Sequence, residues 1–481
     1  MAIRTALNTG FQTLEYQKFV EIIDDTNFPP VTAYWENDLS TKTQTFPKTA
    51  ILTYDVSRDQ ANTLPNSLPF GDNGAIDAFG RLRVSNPLTV FANKQILFKN
   101  SNSFDEVLSG SAVSTYSYID TGTKLQTLSA NDYVIRQSFI NINYQPGKSQ
   151  EIMLTGMLSG GTGLDMRYGL YEGGTVAPYD QYTGVFFQNN DNVLSVNIGN
   201  AAGRESSQYA PQSAWNIDKL DGSGNSGITL DMTKVQIFII DFEWLGTGRV
   251  RFGFVLDGLI VYCHEFNNAN ATESTYMRTP NLPVRAEIRQ TGNNRGNLLQ
   301  ICCSVNSEGA SGRDINRKLS IDTGVYTSNA GISVGVGVEA SIMAISLSSA
   351  DGIHIDDAAA IDSFHVLNND ANTDTKVRII RNPSYTGTIS LSSAQLGTTQ
   401  TAVSWGVGSS SNTYISGGEI LNTIYTSAGQ TIDIKDLAAQ TYTLGHAIDG
   451  TTDEIHIFVT ALKNGAGNGL FYASADIYES A

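Results

Sequence analysis

Charge is what this sequence has least of. Only 16% of its 481 residues are Asp, Glu, Lys or Arg, well under the usual quarter of a globular chain, so Asn, Thr, Ser, Gln and Gly must supply the polar surface. Basic residues are the scarcer kind, 30 against 47 acidic, for a formal net charge of -17. That balance excludes direct nucleic-acid binding as a primary role, because phosphate contact needs a concentrated Lys/Arg surface. The shortage is sharpest at the end: beyond Arg381 only Lys435 and Lys463 are basic, against Glu419, Asp433, Asp436, Asp449, Asp453, Glu454, Asp476 and Glu479. This end is expected to face solvent or a basic partner and to avoid an anionic membrane.

Metal-binding and redox residues are few as well. Cys263, Cys302 and Cys303 form an odd set without metal spacing, and adjacent Cys302 and Cys303 would point to opposite faces of a strand, so three free thiols are expected. The five histidines make no HxH or HExxH arrangement. Asp351, Asp356 and Asp357 flank His354 without the order of a calcium loop and read as an acidic surface turn. No metal, cofactor or catalytic residue is therefore assigned. No run approaches eighteen apolar residues, so no membrane insertion is expected, and the N-terminus lacks the continuous apolar segment of a signal peptide.

Apolar residues, at 41%, suffice for two or three cores, and their pattern is that of strands. Val235–Trp244, Arg249–Leu256 and Leu259–Phe266 alternate β-branched and aromatic residues, with a glycine-containing turn between the first two and Asp257-Gly258 between the last two, a two-residue type I′ signal. They predict an antiparallel meander with Val250, Phe252 and Phe254 on one face and Arg249, Arg251 and Gly253 on the other. Glycine-rich turns continue the pattern elsewhere, with no fixed repeat. The expected fold is all-β: an extended N-terminal arm over 1–75, a large antiparallel β-sandwich of jelly-roll or lectin-like type over 76–385, and a smaller β-sandwich over 386–481.

Two constellations invite a chemical reading. Asp241 and Glu243 share one strand face, as a glycosidase pair could, but Arg249 and Arg251 on the next strand predict cross-strand ion pairs instead. Trp215, Trp244 and Trp405, with the Tyr-rich composition, could form a platform on which sugar rings stack; core packing uses the same residues.

Three segments, Asp77 to Pro87 (DAFGRLRVSNP), Tyr144 to Gln150 (YQPGKSQ) and Trp244 to Gly258 (WLGTGRVRFGFVLDG), resemble a group of virion structural proteins of tailed bacteriophages. The resemblance covers roughly residues 70 to 300. It implies a capsid-decorating, fibre or tail-associated protein without enzymatic activity, resident in the virion and assembled in the host cytoplasm. Other virion proteins of capsid or tail would be its partners, and a homo-oligomer such as a trimer its state. Docking would run through the N-terminal region, with Arg81, Arg83 and Arg136 as anchors. The alternative is a receptor- or glycan-binding protein directed at a host surface glycan, and, behind it, a glycan hydrolase.

Overall fold

The computed structural model describes residues 76–479 except 82, 84–85, 201–207, 310–316, 326–329, 349–358, 394–400, 436–441 and 463–467, and before residue 76 the backbone of four strands. The acidic turn around His354 lies outside the described residues. The chain divides into two compact units, Met1–Arg83 and Val84–Ala481. In the first, Ile3–Leu7, Lys18–Ile22, Thr32–Trp35 and Thr43–Thr45 pair in sequence order as an antiparallel sheet, so the stretch expected to run as an extended arm carries ladder hydrogen bonds of its own.

The second unit holds two β-sandwiches. One sheet of the first sandwich runs Leu259–Asn267, Arg249–Leu256, Gln236–Phe242, Gln150–Leu158, Gly296–Ser307, Gly122–Thr127, Val113–Ser117, with Leu88–Lys94 also paired to Gly296–Ser307. The meander read from the sequence forms its end. Asp257 and Gly258 both take positive φ, 51° and 79°, as a type I′ turn demands. The facing sheet runs Gln208–Pro211, Val193–Asn200, Thr183–Asn190, Leu164–Glu172, Val284–Gln290, Tyr133–Ser138, Phe104–Ser109. Between the sheets sits an aromatic core in which Phe187 lies 5.0 to 5.3 Å from Phe238, Phe252 and Phe254. Strand period explains it: Val250, Phe252 and Phe254 alternate with Arg251 and Gly253 and point together into the gap.

The second sandwich pairs a sheet built on Gly469–Glu479, Ala359–Asn368, Arg317–Asp322 and Thr431–Lys435 with one ordered Val403–Val407, Glu339–Leu347, Glu454–Ala461, Thr375–Arg381, Glu419–Thr426. Its core is mainly aliphatic. The two cores part between Ser307 and Arg317, not at residue 385 as expected. Residues 317–385 belong to the second sandwich because their strands pair with the chain's end, Arg317 opposite Glu479 and Thr375 opposite Ala461.

Candidate functional site

The arginines expected to act as anchors are engaged locally. Arg81 is exposed but closes its own turn, donating from its backbone N to Asp77 Oδ1 at 2.8 Å and from Nε to Oδ2 at 2.8 Å, with its guanidinium 4.5 Å above Phe79. Arg83 Nε donates to the Ile76 carbonyl at 3.2 Å. Arg136, far from being a surface anchor, is wholly buried between the sheets of the first sandwich. Its Nε donates to Gln300 Oε1 at 2.8 Å, Nη1 is paired with Glu106, and Phe104 lies 4.5 Å beneath it. A desolvated guanidinium needs such partners, and the alternation of Tyr133–Ser138 turns it inward beside Val134.

The three tryptophans make no platform. Trp215 and Trp405 are each 3% exposed, inside the first and second core. Trp244 is half-buried, its Nε1 donating to the Met277 carbonyl at 3.4 Å and its ring edge-on to Tyr144. Asp241 is fully buried and taken up by Arg251, by the Ser149 hydroxyl at 2.5 Å and by Tyr262 at 3.1 Å; Glu243 receives the Arg249 backbone N–H at 3.0 Å. Asp241 pairs with Arg251 as the cross-strand reading expects, and Glu243 serves the hairpin through the Arg249 backbone N–H. Cys303 is buried and its thiol is pushed up to about 12 by burial, with Cys302 beside it adding to the effect.

A charged network that sequence reasoning missed covers the outer face of the second sheet of this sandwich. Arg167 faces Glu287 across the ladder and Asp165 faces Arg289. Glu287, fully buried, receives Arg285 Nε at 2.9 Å, Arg167 Nη1 at 3.3 Å and the Tyr182 hydroxyl at 2.8 Å. Burial alone would raise its carboxyl, but the guanidiniums of Arg285, Arg167 and Arg289 outweigh it and bring the group down to about 2. The segment 173–182 straps over this face, its Pro178 and Tyr179 carbonyls accepting from Arg289 and Arg285. Glu287 and Arg285 are thus closed off from solvent, a structural use of charge.

Geometry also singles out one serine, which sequence could not. Ser363 Oγ lies 3.0 Å from His365 Nε2, and His365 Nδ1 lies 2.7 Å from Asp433 Oδ1, the order of an activated nucleophile. Ser363 is only 2% exposed, however, and its hydroxyl also donates toward Asp476 Oδ2 at 3.4 Å, a carboxylate where oxyanion chemistry needs donors. This row is a hydrogen-bonded ladder on a sheet face.

The open site lies where the two sandwiches meet. A cleft of about 390 Å³ is lined by Ser101, Asn102 and Phe139 from the first and by Arg381, Asn382, Gly418, Glu419 and Asp453 from the second. Its volume is within the range of about 300–1,000 Å³ usual for small-molecule sites. The junction is fixed by the Phe139 carbonyl accepting from His446 N at 2.8 Å and by Asp105 Oδ2 accepting from Ile448 N at 2.8 Å. Arg381 and Glu419 are opposed across the ladder, Nη1 to Oε2 3.3 Å. Arg381 Nη2 donates to the Thr443 carbonyl at 3.1 Å, and its Nε lies 3.9 Å from Asp453 Oδ2. Asn382, at φ 51°, is pinned at both ends of its amide: Nδ2 donates to Asp453 Oδ1 at 2.7 Å, and Oδ1 accepts from Glu454 N at 2.8 Å. Gly418 is required, since a Cβ there would stand 2.6 Å from the Arg381 carbonyl. The lining carries one arginine against two carboxylates, a net charge of −1. No spacing signal could have found it: Glu419 and Asp453 read only as members of an acidic tail.

No protein-family model matches this chain, and no curated protein does. Among solved structures it is similar to the carbohydrate recognition domain of Emp47p, at 12% identity over 47% of this chain and 99% of that one with a TM-score of 0.31. It is similar also to a legume lectin-like domain from Entamoeba histolytica (9%, 47% and 100%, TM-score 0.29) and to a β-glucanase of Bacillus licheniformis (8%, 47% and 100%, TM-score 0.28). At TM-scores of 0.28 to 0.31 these likenesses carry no role for this chain; being to carbohydrate-recognition and glucanase domains, they give no support to the virion membership, particle location, or capsid and tail partners that the phage resemblance implied. The all-β sandwich architecture expected from the sequence stands on the strand pairing and the two cores.

Proposed function

We propose that the chain is a carbohydrate-recognition protein and that the cleft between its sandwiches holds the saccharide. The observation that carries the reading is the lining itself: the partly exposed Phe139 beside a pre-fixed set of carboxylate, amide and guanidinium groups. Sugar rings present an apolar C–H face and a rim of hydroxyls, and this combination answers both. Asn382 is already held by Asp453 and Glu454, so little side-chain freedom is lost when a ligand arrives. Binding is favoured over hydrolysis because Arg381 lies against both carboxylates, an arrangement for holding hydroxyls more than for passing a proton. The net charge of the lining disfavours uronic or sulfated sugars.

The test is a glycan array followed by titration calorimetry on the full chain. A neutral saccharide should bind, and Glu419→Gln should weaken it roughly tenfold to a hundredfold, the loss of one hydrogen bond to a charged group. Binding that is indifferent to Glu419→Gln and Asp453→Asn would remove the cleft from consideration.

A further inference from the structure

Beside the cleft the first sandwich exposes large apolar side chains that its fold does not use. Ile96, Leu97 and Phe98 are 49%, 71% and 62% exposed, and Tyr118 and Ile119 are 81% and 92% exposed. They project from two loops tied together: the Tyr116 hydroxyl donates to the Ile96 carbonyl, the Thr123 hydroxyl to Gln95, and Lys99 Nζ to the Ser114 carbonyl at 3.4 Å. Single exposed hydrophobes are ordinary; a group on adjoining loops marks an interaction surface. The charges at its rim cancel, Lys99 against Glu106 and Lys124 against Asp120, each at 2.5 Å. A neutral rim on a chain of net charge −17 suits an uncharged or zwitterionic surface and repels an anionic one. The patch is joined to the cleft along the chain. Phe98 is three residues from Ser101, which lines it, a span of at most about 11 Å.

We infer that the ligand is a membrane glycolipid with a neutral saccharide headgroup: the headgroup enters the cleft while Leu97, Phe98, Tyr118 and Ile119 sit in the bilayer interface. This rests on the saccharide reading of the cleft. Aromatic and aliphatic side chains at loop tips partition into that interface, and the headgroup contact restricts binding to membranes that display the sugar. Neither contact has to be strong, because each raises the effective concentration of the other.

The experiment uses the full chain, phosphatidylcholine vesicles with and without a neutral glycosphingolipid fraction, and the free oligosaccharides released from that fraction. Wild type should co-sediment with the glycolipid vesicles about tenfold or more better than with plain ones. The variant Leu97→Ser/Phe98→Ser/Tyr118→Ser/Ile119→Ser, altered only at exposed positions, should lose about tenfold or more of that binding while keeping its affinity for the free oligosaccharides. Vesicle binding unchanged in the variant, or equal on both vesicle types, overturns the inference and leaves the cleft reading intact. Failure of wild type to bind the free oligosaccharides overturns the cleft reading itself, and this inference with it.

Discussion

The two sandwiches of this chain share an architecture but fill it differently. The first has an aromatic core and buries three arginines completely, Arg136, Arg251 and Arg285, each matched by a carboxylate or amide. The second packs an aliphatic core of Ile342, Ile345, Ile379, Ile455 and Ile457 and keeps its arginines at the rim, Arg378 against Glu339 and Arg381 against Glu419. Breaking a buried ion pair strands a charge in a low-dielectric interior, whereas a rim pair can fall back on water. The first sandwich is therefore committed to its charges as structure. The second leaves polar groups available at its edge, and the cleft draws most of its lining from them.

That contrast can be broken most severely at the aromatic core. Phe254→Ala, which removes the ring shared by Phe187, Phe238 and Trp215, should cost about 3–5 kcal/mol, read as a drop in the urea midpoint with an unchanged slope. Next is Glu287→Gln, which leaves Arg167, Arg285 and Arg289 facing one another and should cost about 3 kcal/mol at neutral pH. Because the folded Glu287 carboxyl lies at about 2, below its ordinary 4.5, its stabilisation is complete above about 4.5 and fades as the pH falls toward 2. The variant should lose that part of the acid sensitivity, and the corresponding Glu339→Gln in the second sandwich should cost less.

The smallest effect sharpens the same point. Burial holds the His264 imidazole down to about 4, against an ordinary 6.5. The unfolded chain then takes up a proton that the folded one refuses, so stability is full above about 6.5 and declines as the pH drops toward 4. His264→Gln, which retains an acceptor for the Asn216 backbone N–H, should flatten the stability profile in that window. An unchanged slope would mean that His264 is not the group responsible.

What the sequence disclosed was local. The strand Arg249–Leu256, the Asp257-Gly258 turn and the cross-strand pairing of Asp241 with Arg251 all follow from period-2 patterning and turn chemistry within thirty residues. The division of the second unit was not legible, because Arg317–Asp322 finds its partner in Gly469–Glu479 at the far end of the chain, and nothing in either strand names the other. Trp215 and Trp405 misled for a related reason: an aromatic suited to stacking on a sugar is equally suited to a core, and only burial separates the two uses. The cleft is the extreme case. Phe139, Arg381, Glu419 and Asp453 come from four separate stretches of two sandwiches, and each alone looks like an ordinary strand end or an acidic surface residue.

The most direct test of the cleft assignment is a crystal structure of the chain soaked with the saccharide that binds it best on the array. The account predicts a sugar ring against Phe139 with its hydroxyls on Glu419 and Asn382. A sugar seated elsewhere, with the cleft between the sandwiches empty, would contradict it.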